Sequence, residues 1–312
     1  MKSIAYEEYG GIDKLKILDQ PVPKLKKDHA LVKIHSIGLN PRDAATREGQ
    51  FKVFTGKKFP KLTGADFSGV ITEVNDGSGK FKVGDEVFGY YESIMGGVSA
   101  EITSIPCKYM EHKPGALSHV EAAATGCTYL TALQGLRDIG KATTGERLLL
   151  YGASGGVGTA AIHLGKYFGL HVVAVSHSLN KDYCLEQGAD AFISYDQTDI
   201  FSIDNQFDIF FQVFSREGFV YGRAKRMLNR SGRFICLIPN PLHSLKHFFS
   251  RPRYFNVMVK AKQDDLSFLS NLMVKKEIIP HVDHIFDIED YKKAYAELES
   301  GKVKGKSIIR FT

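Results

Sequence analysis

The chain has 312 residues, enough for two cores, and its 43% apolar and 24% charged residues give the composition of an ordered globular protein. The formal net charge of +6 is thinly spread, the densest basic runs being KLKK at 24–27 and GKVKGK at 301–306, so no nucleic-acid stripe is expected. The four cysteines, Cys107, Cys127, Cys184 and Cys236, form no C-x-x-C pair, which argues against a disulfide scaffold or a thiolate zinc site and fits a reducing compartment.

In chain order, the N-terminal MKSIAYEEYGG carries charge where a signal peptide needs an apolar core. No apolar run approaches the roughly 18 residues of a membrane helix. A cytoplasmic protein without integral membrane association is expected. The first third reads as β-rich: ALVKIHSIGL and FSGVITEV alternate or run apolar, punctuated by DGSGK and KVGDEV. Near Leu117 the character changes. SHVEAAATGCTYLTALQGLRDIG predicts a helix opened by Ser118 and Glu121 as a capping box. Strands and helices then alternate through RLLLYG, GTAAIHLGKYFG, HVVAVS, NKDYCLEQG, AFISY, FDIFFQVF, GRAKRML and GRFICLI, the signature of βαβ units around a parallel sheet. The tail, helix DDLSFLSNLMVKKE, strand HVDHIFD, helix IEDYKKAYAELESG and strand KSIIRF, is too short to fold alone and is expected to complete the first domain. The predicted class is α/β, with residues 1–117 and 262–312 in one domain and 118–261 in the other.

The stretch YGASGGVGTAA places small residues between an apolar strand and an amphipathic helix. Gly155 and Gly158 stand at the second and third places of a G-x-G-x-x-G pattern, with Ala153 at the first. Such a bend admits a pyrophosphate against bare backbone at a helix N-terminus, while the last glycine lets helix and strand pack closely. An enzyme of NADH commonly ends the next strand with Asp or Glu, which accepts from the ribose 2′-hydroxyl. Here HVVAV runs into Ser176, His177 and Ser178, with no acid before Asp182 and with Lys181 nearby, so NADPH is expected.

With GLNPRDAATREG (38–49), TGADFSGVITEV (63–74), FKVGDEVFG (81–89), LTALQGL (130–136), GASGGVGTAAIHLGK (152–166), QGADAFISY (187–195) and GKVKGKSII (301–309) in this order, the chain resembles the zinc-independent quinone oxidoreductase branch of the medium-chain dehydrogenase/reductase superfamily. The resemblance implies a GroES-like, β-rich catalytic domain plus a Rossmann domain, a doubly wound parallel sheet. It implies Ser154, Gly155, Gly156 and Val157 at the pyrophosphate, and Ser176, His177, Lys181 and Tyr195 around the 2′-phosphate and adenosine. It further implies Asn40, Asp43 and Thr131 on the nicotinamide side, with main chain near Phe214 and Ile238 facing the carboxamide. Arg42 departs from a slot that is usually apolar in this family, and His177 from one that is often small.

Where zinc relatives carry a Cys and a Gly-His-Glu segment, this chain has Asn40-Pro41 and Gly64-Ala65-Asp66, so no metal is expected. Hydride sent to a quinone or an α,β-unsaturated carbonyl leaves a charge already spread over a phenolate or enolate, which suits a metal-free site. The expected function is NADPH-dependent reduction of such an acceptor. The alternative is an NADPH-binding protein of the same fold with little or no turnover. Tyr90, Tyr91 and Tyr129 are candidate proton donors or pocket walls, and Cys127 is expected to be a buried small residue. Lys304 and Lys306 either reach the cofactor's phosphates or are exposed lysines flanking a strand. A homodimer is implied by the family. The segment 241–260 is expected to be a flap over the cleft followed by an edge strand pairing across a dimer, the family offering a peripheral membrane contact as the alternative.

Overall fold

Eight strands are laid down before any long helix, because the first part of the chain carries the β-branched, alternating pattern that suits a pleated surface. They are β1 (Lys2–Tyr6), β2 (Leu15–Asp19), β3 (His29–Gly38), β4 (Lys61–Leu62), β5 (Asp66–Asn75), β6 (Glu86–Tyr90), β7 (Ile102–Pro106) and β8 (Met110–His112). Between them lie the short helices α1 (Pro41–Arg47) and α2 (Lys52–Thr55), followed by α3 (His119–Ala123). The structure is a computed structural model and describes residues 1–203, 206–214, 218–237 and 251–311.

The chain divides into two units, Met1–Cys127 with Lys260–Thr312, and Thr128–Val259. The first therefore runs through α3, past the boundary expected at 117, since α3 packs on β3, β5 and β6. Ser118 caps α3 and Glu121 completes the capping box, as the sequence predicts. The helix expected to continue unbroken instead stops at Ala123 and restarts as α4 (Gly126–Leu133), ending in a π-helical turn over Gln134–Ile139. The restart is confined to a glycine, because no side chain fits where α4 begins. A Cβ on Gly126 would lie 2.5 Å from Asp66 Oδ1 and 2.6 Å from the Gly89 carbonyl.

The second unit carries β9 (Arg147–Tyr151), α5 (Gly156–Tyr167), β10 (His171–Ser176), α6 (Lys181–Glu186), β11 (Ala191–Ser194), β12 (Phe207–Gln212), α7 (Tyr221–Ala224), β13 (Leu228–Cys236) and β14 (Arg253–Asn256). All neighbours in its sheet are parallel, in the order β11-β10-β9-β12-β13-β14. Renumbered from β9 this is 3-2-1-4-5-6, the doubly wound order, with the chain reversing direction across the sheet between β9 and β12. Leu148, Leu149 and Leu150 of β9 are wholly buried, each contributing about 2 kcal/mol of apolar burial. The helix expected around GRAKRML is a single α turn, α7, continued by a 3-10 turn at Lys225–Met227. β14, in the second half of the 241–260 segment, stands at the edge of this sheet beside β13, and residues 241–250 of the expected flap lie outside the described ones.

The tail returns to the first unit with α8 (Gln263–Val274), β15 (Val282–Asp287), α9 (Tyr291–Ser300) and β16 (Lys306–Arg310). β16 pairs antiparallel with β3, which completes a seven-stranded sheet β15-β16-β3-β5-β6-β8 with β7 also on β3. The core of this unit gathers Ile4, Val32, Ile34, Ile37, Phe67, Val87 and Tyr295.

Candidate functional site

The first part of the site is the bend after β9, at the point where the parallel sheet reverses its winding. Gly152 makes the turn with φ +93°, a left-handed value that favours glycine, and a Cβ there would meet the Phe214 N and Cβ at 2.8 Å. The tight-turn role expected one place along, at Ala153, therefore falls to Gly152. Gly158 meets the need for close packing: a Cβ on it would lie 2.3 Å from the Gly152 carbonyl oxygen. Gly155 is different in kind. It N-caps α5 with φ −79°, an ordinary value, and among the described residues nothing beyond its own chain neighbours lies within 4 Å of where its Cβ would stand. Neither backbone conformation nor packing within the protein requires a glycine there. The residues fit a dinucleotide pyrophosphate, which needs bare backbone at the start of a helix. Gly156 and Val157 form the first turn of α5 beside it.

The second part lies at the end of β10. Ser154 Oγ and Ser176 Oγ are 2.8 Å apart, and Asn180 Nδ2 donates to both, at 3.0 and 3.1 Å. Ser176 is buried and Lys181 exposed at the start of α6. His177 Nδ1 accepts from Leu179 N at 3.2 Å, which leaves the proton of a neutral ring on Nε2, 3.7 Å from Asp196. Asp196 was not legible as part of this site. It follows Tyr195 just beyond β11, and strand pairing brings it against the β10 turn. There it takes hydrogen bonds from Ser178 N and Ser178 Oγ, both at 2.7 Å. Tyr195 and Asp196 also help line a cavity of about 390 Å³ with Tyr151, Asp199 and Arg223. Phe214 sits at the end of β12, its N–H donating to the Tyr151 carbonyl at 3.1 Å, while Ile238 lies outside the described residues. Thr131, on α4, is buried in the same unit.

In the first unit, Asn40 and Asp43 build the start of α1. Asn40 N donates to Asp43 Oδ2 at 2.9 Å, one half of a capping box. The Asn40 carboxamide is committed inward: Nδ2 donates to Asp66 Oδ2 at 3.0 Å and to the Gly38 carbonyl at 3.3 Å. Its Oδ1 accepts from Lys306 Nζ at 2.8 Å. Lys306 also donates to the Leu39 carbonyl at 2.6 Å and to Asp66 Oδ2 at 2.9 Å, so all three ammonium protons are placed. Of the two roles weighed for Lys306, phosphate contact or strand flank, the structure shows neither. It is a buried ion-pair partner, missed because its mate lies 240 residues away. Burial pushes the Asp43 carboxyl up to about 6, against the pull of the Asn40 N–H, Arg42 and Lys306.

Arg42 rests its guanidinium 5.6 Å from the centre of the Tyr90 ring and donates to the Ser93 carbonyl at 2.7 Å. Tyr90 is itself buried, which raises its pKa. Tyr129 is buried in the second unit, where its hydroxyl meets His163 Nδ1 at 2.8 Å. Cys127 is half-buried rather than buried, and its N–H donates to Asp66 Oδ1 at 2.6 Å. Beside the α3 cap, His119 Nδ1 faces Ser68 Oγ at 2.8 Å and Nε2 faces Glu86 at 3.4 Å, which resembles a hydrolytic triad. Ser68 is fully buried and donates to the Val87 carbonyl at 3.0 Å, so it presents no nucleophile.

Comparison with known proteins places this geometry. Residues 26–128 match the alcohol dehydrogenase GroES-like domain and residues 187–309 the zinc-binding dehydrogenase family. The 2-methylene-furan-3-one reductase of Solanum lycopersicum is 30% identical, over 99% of this chain and 79% of its own length. The chloroplastic NADPH-dependent alkenal/one oxidoreductase of Arabidopsis thaliana is 28% identical over the same shares. Among solved structures, the quinone oxidoreductase from Coxiella burnetii superposes with a TM-score of 0.91 at 26% identity, over 100% of this chain and 99% of that one. A zinc ion, which one family description carries in its name, does not fit the donor set found here. Asp66 is already neutralised by the Lys306 ammonium, and among the described residues no three His, Cys, Asp or Glu side chains are disposed to hold a metal.

Proposed function

The chain belongs to the medium-chain dehydrogenase/reductase superfamily, in its quinone oxidoreductase and enone reductase branch, and from that premise we propose that it reduces a quinone or the conjugated double bond of an enone or enal with NADPH. The observation that carries the reading is Gly155, a glycine at the N-cap of α5 that neither a positive φ nor close packing requires. When bound, the nicotinamide supplies the hydride, and a conjugated acceptor spreads the resulting charge so that no localised alkoxide has to be stabilised.

The chain's own part is to bind, orient and hold. Gly152 turns the backbone, Gly155 and Gly156 offer it bare, and the 12-residue α5 points its N-terminus at the phosphates. Ser154, Ser176 and Asn180 form the polar floor toward the ribose, with Lys181 and Tyr195 beside it. The Phe214 main chain takes the carboxamide. Asn40 and Asp43 act as positioning residues, because their polar atoms are spent on fixing α1 rather than offered to a substrate. Thr131 lines the nicotinamide. NADPH is supported by the relative named for it and by β10 itself running into Ser176, His177 and Ser178 rather than an acid.

That same inward commitment of Asn40 and Asp43 favours a second reading, a dinucleotide-binding protein without turnover. Oxidation of NADPH against a panel of quinones, enals and enones separates the two. Turnover of any conjugated acceptor, with none of simple ketones, supports the reductase; tight NADPH binding with no turnover overturns it. We also infer a homodimer in the cytoplasm, which sedimentation velocity and cell fractionation test.

A further inference from the structure

A second feature of the β10 end bears on which dinucleotide the site prefers. The donors that a ribose 2′-phosphate would seek at this turn are main-chain and hydroxyl groups just after the strand. Two of them, Ser178 N and Ser178 Oγ, are already taken by one carboxylate, Asp196, each at 2.7 Å. His177 Nε2 turns its proton toward the same carboxylate from 3.7 Å. We infer that Asp196 acts as a built-in substitute for the 2′-phosphate, so that the site discriminates weakly between NADPH and NADH and admits both.

The charge argument supports the geometry. Desolvation raises the Asp196 carboxyl, but the hydrogen bonds from Ser178 together with His177 outweigh it and hold the group below its ordinary range, so it is ionised at neutral pH. A 2′-phosphate approaching Ser178 meets this negative charge within hydrogen-bond distance of the donors it needs. The opposing cation is Lys181, exposed and without an ion pair among the described residues, so its attraction acts through solvent. NADH brings a hydroxyl instead, which can donate to a carboxylate as it would to the acid at the end of β10 in other dinucleotide folds. The acid arrives here from the neighbouring strand, which is why inspection of the residues after HVVAV does not find it.

The inference rests on the dinucleotide reading above, and the test separates the two. Asp196→Asn keeps an acceptor for Ser178 and removes only the charge; Asp196→Ala removes the brace as well. Affinities of NADPH, NADH, adenosine 2′,5′-bisphosphate and AMP are measured by calorimetry on the full chain, with thermal melting to confirm folding. The wild type should bind NADPH and NADH within about tenfold of each other, and Asp196→Asn should tighten NADPH and the bisphosphate by about tenfold or more while leaving AMP unchanged. NADH should stay level or weaken. An unmoved NADPH to NADH ratio in Asp196→Asn, or equal tightening of all four ligands, overturns the role of Asp196 while leaving the dinucleotide site standing. Failure of the wild type to bind even AMP overturns both.

Discussion

Lys306 and Asp66, 240 residues apart, meet as an ion pair of 2.9 Å with both side chains shut off from solvent. The pair ties the last strand, β16, to the loop that carries Asn40 and to the first residue of β5. Two charges buried this way are held by mutual neutralisation, and removing one leaves the other stranded. Lys306→Met should therefore lower unfolding free energy by about 3–5 kcal/mol in urea titrations. Lys306→Met combined with Asp66→Asn should lose less than Lys306→Met alone, because the stranded charge is gone while an acceptor remains for Cys127 N. A loss below about 1 kcal/mol in the single variant would mean that water reaches Asp66 and the pair is not truly buried.

Asp43 has the opposite electrostatic habit. Its carboxyl is pushed up to about 6 by burial, from an ordinary 3.8, so the folded protein holds this proton more tightly than the unfolded chain does. The stabilising contribution is thus fully present below the ordinary value and is lost as pH rises through about 6. Asp43→Asn still accepts from Asn40 N but no longer titrates. Its stability relative to wild type should rise between about pH 4 and pH 7, by on the order of 3 kcal/mol at most. Paired chemical denaturation series across that range measure the difference, and parallel curves would refute it.

The glycine bend and the alternation of strand and helix were legible because each is a local pattern of spacing, and the return of the tail to the first domain because four elements are too few to fold alone. What escaped the sequence depends on contacts between distant segments. Asn40 and Asp43 are recognisable by type, yet only the fold shows that Lys306 and Asp66 absorb the Asn40 carboxamide. Asp196 follows β11, and a scan along β10 has no means of seeing a neighbour supplied by parallel pairing. The need for glycine at 126 is likewise set from outside, since a Cβ there would meet Asp66 Oδ1 and the Gly89 carbonyl, neither of them near in sequence.

Tyr129 reads as a candidate proton donor, but its surroundings commit the proton elsewhere. His163 Nε2 faces Gln187 Oε1 at 3.0 Å and so carries the ring proton, which leaves Nδ1 to accept from the Tyr129 hydroxyl at 2.8 Å. Burial raises the phenol's pKa further from neutrality. Tyr129→Phe should keep kcat and KM for the best acceptor within about twofold and lower stability by about 1 kcal/mol, the net worth of one buried hydrogen bond. A tenfold or larger fall in kcat, with KM unchanged, would return Tyr129 to the chemistry.

Two glycines of one bend should respond to the same substitution in different ways. A Cβ on Gly158 would sit 2.3 Å from the Gly152 carbonyl oxygen, a contact with backbone that no side-chain rotation relieves. Gly158→Ala must push α5 away from the end of β9, at a cost of about 1–3 kcal/mol or more, and dinucleotide binding should weaken along with thermal stability. A Cβ on Gly155 meets nothing beyond its own chain neighbours within 4 Å among the described residues, and its φ of −79° suits alanine. Gly155→Ala should therefore melt close to the wild-type temperature, the gain from a less flexible unfolded chain being offset by the poorer N-cap that alanine makes. Its affinity for NADPH should nevertheless fall by about tenfold or more, because the added methyl stands where the pyrophosphate meets the main chain. Melting curves and calorimetric titrations of the two variants side by side measure both effects. Unimpaired NADPH binding by Gly155→Ala would mean that the open space before α5 is not where the phosphates lie.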